Sequence, residues 1–182
     1  MATPSDLQLL PASSRTRVWL AALTIGLPLL LVSGAMALGA HSGPAPVLGY
    51  AAIFVALLFL VIDRALRRHR LTIDATGLAV ATTFYRQSLS LEELRIDQAR
   101  VVDLAERTEF RPRLKTNGVA LPGFHSGWFR LRNRSKGFVA IAGGPRVLWL
   151  PTTRGFDLLL QPRQPQALLL HLCELAAARA RG

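Results

Sequence analysis

The sequence predicts a two-helix transmembrane hairpin joined to an α+β, mainly-β domain that a C-terminal helix closes. Three observations predict it. From Val18 to Ile62, 45 residues pass without Asp, Glu, Lys or Arg. From Arg70 onward the pattern changes to short alternating segments separated by turn residues. Last, Ala167 to Ala180 runs without Gly or Pro and repeats leucine at helical spacing.

The charge-free stretch divides into two spans, about 18–40 (VWLAALTIGLPLLLVSGAMALGA) and 43–62, the second centred on VLGYAAIFVALLFLVI. Each approaches the roughly 20 apolar residues that a helix needs to cross hydrocarbon. The second holds eleven Leu, Ile, Val or Phe residues, each favouring insertion by about 0.3–0.6 kcal/mol. Pro28 removes one backbone hydrogen bond and predicts a kink in the first helix. Gly39 to Pro46 is too short for a domain and reads as a turn between antiparallel helices. Arg15 and Arg17 precede the first span, and Arg64, Arg67, Arg68 and Arg70 follow the second, while the turn has no Lys or Arg. Positive-inside logic then places both termini in the cytoplasm of a multi-pass protein integral to the cytoplasmic (inner) membrane. The alternative makes the first segment a cleaved signal peptide ending near Ala35-Met-Ala37. The expected divisions are a disordered cytoplasmic tail over 1–17, the hairpin over 18–62 and a cytoplasmic domain over 70–182.

Within that domain, Leu71 to Ile73 reads as a strand turning at Ala75-Thr-Gly77, and Leu78 to Tyr85 as its partner. Ser88 to Ser90, Ile96 to Leu104, Trp128 to Asn133, Gly137 to Ala142 and Val147 to Leu150 are further strand candidates, and Gly143-Gly144-Pro145 reads as a hairpin turn. Pro165 suits the first turn of the closing helix. Its Leu168, Leu172 and Leu175, with Leu169, Cys173 and Ala176 beside them, form one apolar face that must pack on the strands.

The stretch LKTNGVALPGFHSGWFRLRN, followed by VLWLPT and LLLQPRQPQALLLHL, resembles the bacterial pleckstrin-homology-like (PH-like) domains found fused to membrane spans. LTIDATGLAV and SLSLEELRIDQARVVDL look like that family's opening hairpin and following strand. The resemblance covers roughly Leu71 to Leu175, and its most specific element is Pro122-Gly123, Gly127 and the aromatic-led strand behind them. It implies a PH-like barrel capped by the C-terminal helix, and supplies no enzymatic activity. Where such domains often show Ser-Pro and acidic residues at the helix start, this chain has Gln161-Pro162-Arg163-Gln164-Pro165.

Residues that carry chemistry are sparse. His41, His69, His125 and His171 are scattered, without metal-ligand spacing or a carboxylate pair. His125-Ser126 lacks a placed acid, so it reads as loop rather than nucleophile and base. Walker and dinucleotide glycine patterns do not occur. The single cysteine, Cys173, excludes an intramolecular disulfide and reads as a buried, inert thiol. No enzyme, cofactor or metal is expected.

Charge is the remaining signal. The net charge is +11, and Lys115 and Lys136 are the only lysines among 22 basic residues. Between Glu109 and Asp157 there are nine basic residues and no acidic one. Arg130, Arg132 and Arg134 fall on one face of an extended strand, with Phe129 and Leu131 opposite. With Lys136 they are the candidate contact for anionic headgroups or a protein partner, against the plainer reading of a cationic surface with no specific ligand. No helix-turn-helix or RNA-binding motif accompanies the charge, so no nucleic-acid partner is expected. The function expected is a non-enzymatic, membrane-anchored PH-like interaction module on the cytoplasmic face, with the lipid bilayer, and another membrane protein, as partners. The alternative is an accessory subunit of a membrane transporter or enzyme complex.

Overall fold

The computed structural model describes residues 7–10, 13–37, 45–66, 70–74, 76–82 and 84–181. Residues 39–44 of the turn expected at 39–46, His41 among them, and Arg67, Arg68 and His69 lie outside them.

Ser13 opens the first helix, α1 (Ser14–Ala21), by accepting a hydrogen bond from the Thr16 N–H at 3.2 Å. A π turn, Ala22–Gly26, follows and leads into α2 (Leu27–Ala37). The Leu27 N–H donates to the Ala22 carbonyl, five residues back. Pro28 accounts for the place of this irregularity, because its ring removes a donor and crowds the carbonyl of Thr24. The next helix, α3 (Ala45–Leu66), packs beside α1 and the π turn.

Among the described residues no helix is long and apolar enough to cross a membrane. This corrects the transmembrane hairpin, with its spans at 18–40 and 43–62, and the multi-pass placement in the cytoplasmic membrane with both termini cytoplasmic. The physical reason is continuity. The helix that carries the first apolar run is divided by the π turn into pieces of 8, 5 and 11 residues, and the first of them opens with the polar Ser14 to Arg17. In α3, the apolar run from Val47 to Ile62 is 16 residues before Asp63 and Arg64 end it. At 1.5 Å per residue it reaches about 24 Å, short of the ~30 Å of hydrocarbon.

The strands form two sheets. β1 (Arg70–Ile73), β2 (Gly77–Ala81) and β3 (Arg86–Ser90) make an antiparallel three-stranded sheet. The larger sheet contains β4 (Arg100–Asp103), β5 (Pro112–Leu121), β6 (Phe124–Leu131), β7 (Lys136–Ala142), β8 (Arg146–Pro151) and β9 (Asp157–Leu160) in the order β4-β8-β9-β7-β6-β5. β9 lies between β7 and β8, parallel to the first and antiparallel to the second. Gly143-Gly144-Pro145 therefore joins two strands that do not pair, which corrects the hairpin expected there. The PH-like barrel is corrected as well: the strands form separate sheets of three and six, and the larger one is mixed. Leu158, Leu159 and Leu160 are fully buried, so β9 is covered on both faces and takes an interior place, as an uninterrupted apolar strand must.

One face of the larger sheet, with Phe138, Ala140, Leu148, Leu150, Leu158 and Leu160, packs with Leu78, Val80 and Leu89 of the small sheet. Leu168 and Leu172 of the last helix, α4 (Pro165–Ala180), join the same core. The other face buries Phe129, Leu131, Val139, Ile141, Val147 and Leu159 with Leu104 and Phe110. Cys173, expected in the core, is exposed on α4, because the leucines at 168 and 172 already define the buried edge. Leu9, within the segment expected to be a tail, is buried against this core and bridges to Pro162.

Candidate functional site

The helices meet the β domain at one end of the larger sheet. Leu20 is buried with Phe124 and Ala142, and Phe59, Ile62, Val119 and Leu121 pack around them. The Thr16 hydroxyl donates to the Pro122 carbonyl at 3.3 Å. Beside this cluster Arg17 Nε donates to Asp63 Oδ1 at 2.8 Å, tying α1 to the end of α3. Beyond this base the helical arm is clothed in exposed apolar side chains. Leu27, Leu29 and Leu30 project from α2, and Ile53, Phe54, Leu57, Leu60 and Val61 from α3, with Leu30 72% and Phe54 67% exposed. Between the helices, Ile25, Pro28, Leu29 and the small side chains Ala51, Ala52 and Ala56 line an apolar groove of about 280 Å³. A folded chain in water seldom leaves so much contiguous hydrocarbon uncovered.

The basic residues singled out from the sequence lie at the opposite end of β6. Arg130 is six residues from Phe124, about 20 Å along the strand. The strand stops at Leu131, so Arg132 and Arg134 do not continue a stripe. They belong to a turn in which Arg134 adopts a left-handed backbone, φ 69°. Arg130 Nη1 donates to the Arg134 carbonyl at 3.4 Å, and Lys136 Nζ sits 4.4 Å from the Trp128 ring centroid. The two acidic residues that bound the acid-free sequence also come here. The Asn133 N–H bonds the Glu109 carbonyl at 2.9 Å, and the Ser135 hydroxyl bonds Asp157 Oδ2 at 2.8 Å. The sequence vacancy is thus not a spatial one. Among the described residues, Arg130, Arg132, Arg134 and Lys136 still form no ion pair with a carboxylate.

A second basic group, only partly anticipated, lies on α1, α3 and the small sheet. Arg15 and Arg64 are exposed on α1 and α3, and Arg70 opens β1. Arg70 and Arg86 stand opposite Ala81 in one register row, so both project from the sheet face away from the core. Phe84, in the turn before Arg86, is 62% exposed. Register arithmetic after Gly77 is the signal that brings Arg86 beside Arg70, and it needs the pairing to be known.

A further concavity is a cleft of about 340 Å³ walled by Gly123, His125, Ile141, Gly143 and Pro145, with Arg111 at its side. Arg111 is committed to backbone carbonyls, donating through Nε to Leu104 and through Nη2 to Ala105. Burial holds the His125 imidazole below its ordinary pKa, and no carboxylate lines the cleft. Among the described residues no cluster of three His, Cys, Asp or Glu could hold a metal ion.

No family model, curated protein or solved structure matches the chain. The resemblance to PH-like domains gains no support from these comparisons.

Proposed function

We propose that the chain is a non-enzymatic interaction module that docks on a lipid bilayer through the apolar outer surface of α2 and α3 and presents its β domain to a partner. The single observation that carries this reading is the contiguous exposure of leucine, isoleucine and phenylalanine along both helices. It requires no helix that crosses. An apolar arm lying in the boundary between headgroups and acyl chains is stabilised by about 25 cal/mol per Å² of surface removed from water. Orientation supports the same reading, because the arm projects from one end of the larger sheet and leaves the arginine turn at the other end free.

Flotation of the full chain with phosphatidylcholine vesicles in a density gradient tests it. The chain is expected to rise with the vesicles. Recovery of monodisperse chain at the bottom, in buffer without detergent, overturns the proposal.

A further inference from the structure

The base of the arm differs from the arm itself, and the difference is charge. Arg15 and Arg64 are exposed on α1 and α3, two residues before Arg17 and one after Asp63 in sequence, and Arg15 lies beside Pro122 and Gly123 where the helices meet the β domain. Arg70 follows Leu66 by four residues, which bounds their separation at about 14 Å. Arg86 lies two strand spacings from Arg70, about 10 Å away. Asp63 is the acidic residue of this region among the described residues, and Arg17 engages it. Among the described residues none of the four exposed arginines forms an ion pair with a carboxylate. Phe84 places an exposed ring next to Arg86.

We infer that Arg15, Arg64, Arg70 and Arg86, with Phe84, form a collar that receives the phosphate groups of an anionic lipid surface. This rests on the bilayer reading above and adds to it the lipid class and the residues that recognise it. Charge complementarity commits the collar to this occupant: apolar side chains of the arm lie beyond it, and its guanidinium groups pair with no carboxylate among the described residues. A bilayer offers the same sequence of layers, hydrocarbon and then phosphate. Guanidinium suits that role because its fork of donors matches phosphate oxygens. The arginine turn at 130–136, about 20 Å up β6 from the arm's base, stands away from the same surface.

Binding of the full chain to vesicles of phosphatidylcholine alone, and to vesicles with a third phosphatidylserine, tests the collar. One basic residue at an anionic surface is worth roughly five-fold in partitioning, so the mixed vesicles are expected to bind at least ten-fold tighter. That preference is expected to vanish at high salt. The triple variant Arg64→Glu, Arg70→Glu, Arg86→Glu, checked for an unchanged circular dichroism spectrum, is expected to lose the preference while still binding phosphatidylcholine. Arg130→Glu, Arg132→Glu, Arg134→Glu is expected to retain it. Equal binding of the native chain to both vesicles overturns the collar and leaves the bilayer reading intact, as does loss of the preference in the second variant but not the first. Binding to neither vesicle overturns both.

Discussion

Arg17 Nε donates to Asp63 Oδ1 at 2.8 Å across two helices that are 46 residues apart in sequence at that point. Asp63 is only 8% exposed, so its carboxylate depends on the protein for the partners that water would otherwise supply. Replacing Arg17 by Ala is expected to loosen α1 from α3 by about 1–2 kcal/mol, the worth of a charge-assisted hydrogen bond discounted for the half-exposed arginine. Amide hydrogen exchange measures it directly. Protection should fall in α1 and the end of α3 and stay constant in β7 and β9.

Gly127 has φ +109°, and a Cβ there would meet the Asn117 carbonyl oxygen at 2.7 Å and the Gly118 Cα at 2.8 Å. Both obstacles are backbone of the paired strand β5, which has no rotamer to yield. Gly127→Ala is expected to cost about 1–3 kcal/mol from the backbone conformation alone, with the clash added to it. Urea denaturation of the variant beside Gly26→Ala, a position with open space around it, isolates the effect.

Burial lowers the pKa of His125 in the folded chain below its ordinary value of 6.5. The unfolded chain therefore binds this proton more readily. Stability from the neutral imidazole is fully present above about pH 6.5 and is lost as pH falls through the lower, folded value. Melting temperature followed downward from pH 7.5 should show this decline. In His125→Phe, which keeps a ring against Phe129 at the 5.5 Å centroid spacing, that part of the decline should disappear.

Cys173 is exposed on α4, so a thiol reagent should modify it in the native chain without denaturant. One equivalent is expected at the rate of an accessible thiol, with no change in far-ultraviolet circular dichroism. Protection until unfolding would place Leu168 and Leu172 off the buried edge of the helix.

The strands with alternating apolar residues were legible because period two survives in sequence: Leu71 and Ile73 face the core, as do Leu78 and Val80. β5 was not, since most of its residues are exposed, the polar Lys115, Thr116 and Asn117 in succession among them, and apolar alternation is lost, as suits an edge. β9 was hidden for the opposite reason. Its three consecutive leucines have no alternation, and they run directly into Gln161 and the start of α4. The single stripe expected from Arg130, Arg132 and Arg134 does not form, because nothing in Arg130-Leu-Arg-Asn-Arg134 announces that the strand stops at Leu131. The apolar run was read as two spans because a count of charges does not register a π turn.

Lipid contact by the arm is most directly measured by fluorescence quenching with brominated acyl chains. Trp19 is 44% exposed on α1, whereas Trp128 packs on Phe138 and Phe156, and Trp149 on Phe110, inside the β domain. On brominated vesicles the native chain should lose part of its tryptophan emission, and Trp19→Phe should abolish that loss while still floating. Undiminished emission from the native chain, or equal quenching in Trp19→Phe, would contradict the docking of this arm on lipid.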